Sequence, residues 1–291
     1  MFVSSQGNMC LLASILIAAL FLMMMSSVPI TLSMEQFNPA ALYPHDARRL
    51  MGEEDYRHYP GAGVLFCHTE EGTLERASAA WLIGSRQLVV MNAHNFIDRK
   101  LQSTRRVSDC FFQINDETAD FDPTSLCLGV DWASQSLHIT DDWALLRLKH
   151  PLSDKTAPQP IPDAAEVATG AFDLPVIMVS PAGHSNYRQM TSIESCTIRQ
   201  IDAPSEGGIR RARHDCNDGY GGSGSGLFLE DGRLIAMHSA SLDMNARRPF
   251  NIESHYGSAL LFEGALLEAI RENVLEPHCT HSDVHVVNPM P

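Results

Sequence analysis

Positive charge is scarce in this 291-residue chain: 21 Lys plus Arg stand against 35 Asp plus Glu, a formal net charge of -14. Nucleic-acid binding needs a basic face, and none is visible, so nucleic acid is not an expected partner. No two cysteines form a CxxC pair, so a structural zinc site is not signalled. No N-x-S/T sequon occurs, and N-glycosylation is not expected. No internal repeat stands out. Charge of either sign is missing from Met1 to Met34; Glu35 is the first charged side chain. Within that stretch "MCLLASILIAALFLMMM" (9–25) is apolar apart from Ser14. Such a run is a signal-peptide core or a membrane anchor rather than an element of the fold. The missing basic n-region keeps the anchor open, and the small residues of "SSVPITLS" offer cleavage after Ser33. Either reading places the rest of the chain outside the cytoplasm, secreted or periplasmic, with membrane anchoring as the second possibility.

What is present is ordinary for a globular protein: 44% hydrophobic and 19% charged residues, enough to bury a sizeable core. Of seven cysteines, Cys10 lies in the apolar run. Cys67, Cys110, Cys127, Cys196, Cys216 and Cys279 remain, and an even count in an exported chain points to disulfides. Six cysteines allow 15 pairings; Cys110 with Cys127 is one candidate pair, and Cys67 and Cys279 are free or paired by remainder.

Residues 34–60 read as irregular, a propeptide or a packed N-terminal arm. From Gly61 onward strand-sized apolar runs recur between turn residues: "GVLFCH", "SAAWLIG", "QLVVMNAH", "CFFQIN", "WALLRL", "LPVIMVS", "GLFLE", "RLIAMHSA" and "GSALLF". Many short strands at this spacing predict an all-β sandwich or barrel. The Pro-rich stretch from Thr156 to Gly170 divides the body into 61–155 and 156–275. Leu266, Leu267, Ile270 and Val274 share one face of a late helix that Pro277 ends. The tail 276–291 is expected to be loose. Its "HCTHSDVH" lacks a standard zinc spacing, so no metal and no cofactor are expected.

Three sites carry chemistry when taken together. "VVMNAHN" leads a strand into His94, "TDDWALLRL" places Asp142 before a strand, and "GGSGSG" holds Ser223 among glycines. A serine hydroxyl is a poor nucleophile until a base takes its proton. An imidazole does that near neutral pH, and a buried carboxylate fixes its tautomer and stabilises the imidazolium that forms. The small residues around Ser223 let the amides of Gly221 and Ser223 converge as an oxyanion hole. Ser225 competes with Ser223, yet only Ser223 has two glycines before it and one after.

The set resembles the trypsin-like (chymotrypsin-fold) serine proteases, closest to the bacterial branch around the glutamyl endopeptidases. That family's T-A-A-H-C appears as "MNAHN", its D-x-A-L-L as "DWALL", its G-N-S-G-S-P as "GGSGSG", and its I-G-I-H-S-G-G within "GRLIAMHSAS". The likeness spans roughly residues 52–275, and the order of the motifs is what makes it specific. It implies two six-stranded antiparallel β-barrels closed by a C-terminal helix, with the active site in the cleft between them. It also implies an exported endopeptidase acting on a polypeptide through an acyl-enzyme, with His94, Asp142 and Ser223 as its triad. Asp218, His238, Ser239 and Ser241 would bind substrate, and Cys196–Cys216 would form a bridge found in this branch. Some positions depart from the pattern. Asn95 replaces the cysteine that usually follows the histidine, Gly222 and Gly226 soften the nucleophile loop, and Ser241 stands where glycine normally lines the substrate. These departures motivate a second reading, a catalytically weak homologue that works as a protein-binding module. Asp218 stands where glutamyl endopeptidases carry a threonine. A carboxylate there would repel acidic side chains and favour a basic or neutral one, unless it is neutralised by His238. Oligomeric state leaves no trace in the sequence.

Overall fold

The computed structural model describes residues 42–164, 166–181, 191–217, 222–241 and 248–275. Among the described residues fourteen strands make up two antiparallel sheets. In chain order they are β1 (Arg49–Leu50), β2 (Ala62–His68), β3 (Leu74–Leu82), β4 (Leu88–Met91), β5 (Cys110–Ile114), β6 (Glu117–Asp120) and β7 (Cys127–Leu128). The others are β8 (Ala144–Arg147), β9 (Gly170–Ser180), β10 (Ser192–Ile201), β11 (Arg211–His214), β12 (Gly226–Phe228), β13 (Leu234–Ser241) and β14 (Gly257–Leu261). Two helices accompany them, α1 (Glu53–His58) and α2 (Gly264–Leu275).

The first sheet runs β6-β5-β2-β3-β4-β8-β7. It curls until its ends meet. Phe121 bridges Leu148, and the N–H groups of Asp122 and Lys149 donate to the carbonyls of Arg147 and Asp120. Six strands make this barrel, and the two-residue β7 lies against β8. In the second sheet β9 pairs with both β10 and β12, which closes β9-β10-β11-β14-β13-β12 into a ring. The two-residue β1 adds to β10 from outside. The architecture is the expected all-β pair of six-stranded barrels with a C-terminal helix.

Burial explains why the strands read as unbroken apolar runs. In β4, Val89 and Met91 point into the first barrel, while Leu88 and Val90 face a second cluster with Phe228, Met237, Phe262, Leu266 and Ile270. Side chains alternate along a strand, so a strand buried on both faces needs an apolar residue at every position. The second barrel is filled by Val176, Ile198, Ala212, Leu227, Ile235 and Leu261. Leu266, Leu267 and Ile270 of α2 are fully buried and Val274 packs beside them, the face that the spacing predicts.

Residues 42–60 are packed against the second barrel. Leu42, Tyr43, Met51 and Tyr59 are buried. Tyr43 N–H donates to Asn217 Oδ1, Asn217 Nδ2 donates to the His45 carbonyl, and His255 Nε2 bonds the Leu42 carbonyl. The stretch reads as irregular in the sequence, yet α1 forms. Asp55 caps its start: the carboxylate accepts from the Gly52 N–H at 2.8 Å and also from Arg49. Three acidic residues in the first turn also suit the positive end of the helix.

Cys196 and Cys216 are bonded, as the resemblance implies. Cys110 is bonded to Cys67 and not to Cys127, which corrects the sequence expectation. The reason is register: Cys67 and Cys110 are direct cross-strand partners of β2 and β5, whereas β7 carries Cys127 at the far side of the sheet. Cys127 is itself disulfide-bonded, and Cys10 and Cys279 lie outside the described residues. Opening Cys196–Cys216, which closes a 20-residue separation, is expected to cost about 3 kcal/mol. Urea unfolding of a Cys196→Ser, Cys216→Ser double variant measures it.

Glu194, on β10, is a buried carboxylate. It accepts from the N–H of Asn217 at 2.7 Å and from Asn217 Nδ2 at 2.8 Å. Burial pushes it up to about 7 against the pull of those donors and of Arg48. A carboxyl group raised on folding keeps its proton in the native state after the unfolded chain has lost its own. Stability is therefore expected to fall as pH rises from about 4.5 to about 7 and to level off above. Thermal unfolding across pH 4.5–8 should show that slope in the native chain, and Glu194→Gln should flatten it.

Candidate active site

The antiparallel pairing of β4 with β8 sets Met91 opposite Ala144. His94 follows β4 by three residues and Asp142 precedes β8 by two, so both fall on one rim of the first barrel. His94 sits in the 3-10 turn Ala93–Asn95. Its backbone N–H donates to Asp142 Oδ1 at 2.9 Å, and its Nδ1 lies 2.7 Å from Asp142 Oδ2. Asp142 is buried, its side chain 4% exposed, while that of His94 keeps 34% of its surface. Burial lowers the affinity of the His94 ring for a proton, but the charge and hydrogen bond of Asp142 outweigh it and the pKa is raised. Proton uptake by the imidazole is thus stabilised by its carboxylate.

Ser223 comes from the other barrel, three residues before β12. Its Oγ is 2.9 Å from His94 Nε2 and 3.4 Å from the Ser239 carbonyl. The loop is held to the first barrel by backbone: Ala79 N–H of β3 donates to the Ser223 carbonyl, and Trp81 Nε1 to the Gly224 carbonyl, each at 2.8 Å. Gly224 is required at its position. Its φ is +82°, and a Cβ there would stand 2.0 Å from the Ala79 carbonyl oxygen. Ser225 is not the competitor its sequence position suggests; it is fully buried and its Oγ donates to Ser180 Oγ at 2.8 Å.

The other sequence candidates divide. The Ser239 hydroxyl donates to Asp142 Oδ2 from β13, so its side chain is committed to the carboxylate and only its backbone faces Ser223. His238 is buried. The N–H of Cys216 donates to His214 Nδ1 at 3.3 Å, which leaves that ring's proton on Nε2 to donate to His238 Nδ1 at 2.9 Å. Ser241 is half-buried at the end of β13, opposite Gly257. Asp218 and Gly221 lie outside the described residues. Sequence reasoning missed three contributors: the hydroxyl role of Ser239, the ring of His214 behind His238, and Asn92, whose Nδ2 donates to the Asp142 carbonyl at 3.0 Å. Only His214 carried a signal, the "HDC" just before the glycine loop.

The fold and this cluster define a two-barrel peptidase, and the sequence agrees. The family model described as the trypsin-like peptidase domain matches residues 77–237, more than half of the chain, and the chain belongs to that family. No curated protein matches the sequence. Among solved structures, a Glu endopeptidase bound to MPD is similar with a TM-score of 0.55 at 13% identity, over 81% of this chain and 100% of that one. The Rv3671c protease from M. tuberculosis in its active form is similar at 16% identity, over 72% of this chain and 79% of that one, with a TM-score of 0.45. At such identity the first likeness speaks to the fold alone.

Proposed function

We propose that this peptidase is an exported serine endopeptidase working through an acyl-enzyme. The observation that carries the reading is one continuous path, Ser223 Oγ to His94 Nε2 at 2.9 Å and His94 Nδ1 to Asp142 Oδ2 at 2.7 Å. Asp142 accepts from Nδ1–H and so leaves Nε2 as the base. His94 takes the Ser223 proton as Oγ attacks the peptide carbonyl, then delivers it to the leaving amine. The amides of Gly221 and Ser223 are proposed to hold the oxyanion, each such donor lowering the barrier by about 3 kcal/mol. Water, activated by the same imidazole, releases the acyl group. The substrate is a polypeptide extended along the end of β13, where the Ser239 backbone faces the nucleophile. Export is supported by the apolar segment 9–25 and by disulfides such as Cys67–Cys110 and Cys196–Cys216. The purified chain is to be incubated with a diverse peptide mixture and the new termini sequenced. Cleavage at a restricted set of bonds, absent with Ser223→Ala, is the expected result. Tight peptide binding without new termini would instead support the binding-module reading.

A further inference from the structure

We infer that Asn92 is a positioning residue for the catalytic pair, holding Asp142 in place through its backbone. This rests on the catalytic reading of His94, Asp142 and Ser223. Four observations point to it.

First, Asp142 has an uncommon backbone conformation, φ -81° and ψ 56°. The N–H of Trp143 donates to the Asp141 carbonyl at 2.9 Å across it, so Asp142 is the centre of an inverse γ-turn. In such a turn the central carbonyl is directed away from the ring that the turn closes. Here it accepts from Asn92 Nδ2 in a fully buried setting. Losing that donor leaves a buried carbonyl without it, and the backbone relieves this most directly by rotating ψ of Asp142. That rotation moves the carboxylate that must meet His94.

Second, Asn92 begins the 3-10 turn that carries His94 yet makes no side-chain cap to it. An asparagine in that position ordinarily turns its side chain back onto the turn. This one reaches to the other strand instead. Third, Asn95, also buried, fixes Asn92 in turn: its Nδ2 donates to the Asn92 carbonyl at 2.9 Å. Asn95 occupies the place of the cysteine in the family's histidine motif. Two side-chain amide hydrogen bonds, Asn95 Nδ2 to the Asn92 carbonyl and Asn92 Nδ2 to the Asp142 carbonyl, therefore tie the histidine turn to the aspartate turn. Fourth, Asn92 Oδ1 is buried with no partner among the described residues. An unpaired buried amide oxygen is destabilising, so local stability alone does not account for an asparagine here.

The test compares the native chain with Asn92→Leu, which keeps the shape and removes the donor. Turnover is normalised to sites titrated by a fluorophosphonate. The expected result is a fall in kcat of about 10- to 100-fold at nearly constant KM. The acid limb of the pH profile should move to lower pH, because a displaced carboxylate no longer raises the His94 pKa. The low-field proton resonance of His94 Nδ1–H, assigned by its loss in His94→Ala, should shift or vanish in the folded variant. Wild-type kcat per titrated site with an unmoved acid limb would overturn the inference. If Asn92→Leu does not fold, Asn95→Ala decides by the same readouts, with a smaller effect in the same direction. If the native chain itself neither labels nor cleaves, the catalytic reading fails, while the Nδ1–H resonance still tests the positioning.

Discussion

Replacing Ser223 with alanine is expected to lower kcat by about 10^6-fold while leaving the fold unchanged. The hydroxyl is half-buried, and its contacts are with His94 Nε2 and, more weakly, the Ser239 carbonyl. Removing it leaves the hydrogen bonds that anchor the loop, Ala79 N–H to the Ser223 carbonyl and Trp81 Nε1 to the Gly224 carbonyl. His94→Ala should cost about as much, and the double variant little more, because nucleophile and base act as one unit. Steady-state kinetics on a cleaved peptide, with circular dichroism to verify folding, measures both. A Ser223→Ala variant that retained a tenth of the activity would move the nucleophile elsewhere.

Gly224→Ala should have a different signature, a loss of stability and of activity together. The substitution puts a side chain at φ +82° and drives a Cβ against the Ala79 carbonyl, a backbone atom that has no rotamer to escape into. The strain on φ alone costs about 1–2 kcal/mol. Relief requires the loop to lift from β3, which breaks the Ala79 and Trp81 hydrogen bonds as well. We expect about 4 kcal/mol of destabilisation and a Tm lower by about 10 °C. Scanning calorimetry measures this. A Tm within about 2 °C of the native chain would show that the loop is not held on β3 as described.

Much of this was legible because the relevant signals are local in the chain. A strand buried on both faces writes itself as "LVVM", and the face of α2 as Leu266, Leu267 and Ile270. His94 and Asp142 were readable because each directly borders a strand whose partner is the other's neighbour. What escaped depends on register and on contacts between distant segments. Cys67 and Cys110 are 43 residues apart and meet only through the pairing of β2 with β5. Ser239 reaches Asp142 across 97 residues, and Asn92 reaches it across 50. Helix α1 escaped for a different reason: six residues are too few to show a periodicity, and Asp55 capping Gly52 is a geometric event.

The most direct test of the account is covalent labelling. Residues 34–291, folded and oxidised, are to be treated with a fluorophosphonate probe and the adduct located by peptide mass spectrometry. One adduct is expected, on Ser223, lost in His94→Ala. Labelling on Ser225, or on Ser223 undiminished when His94 is removed, would contradict the path from Asp142 through His94 to Ser223.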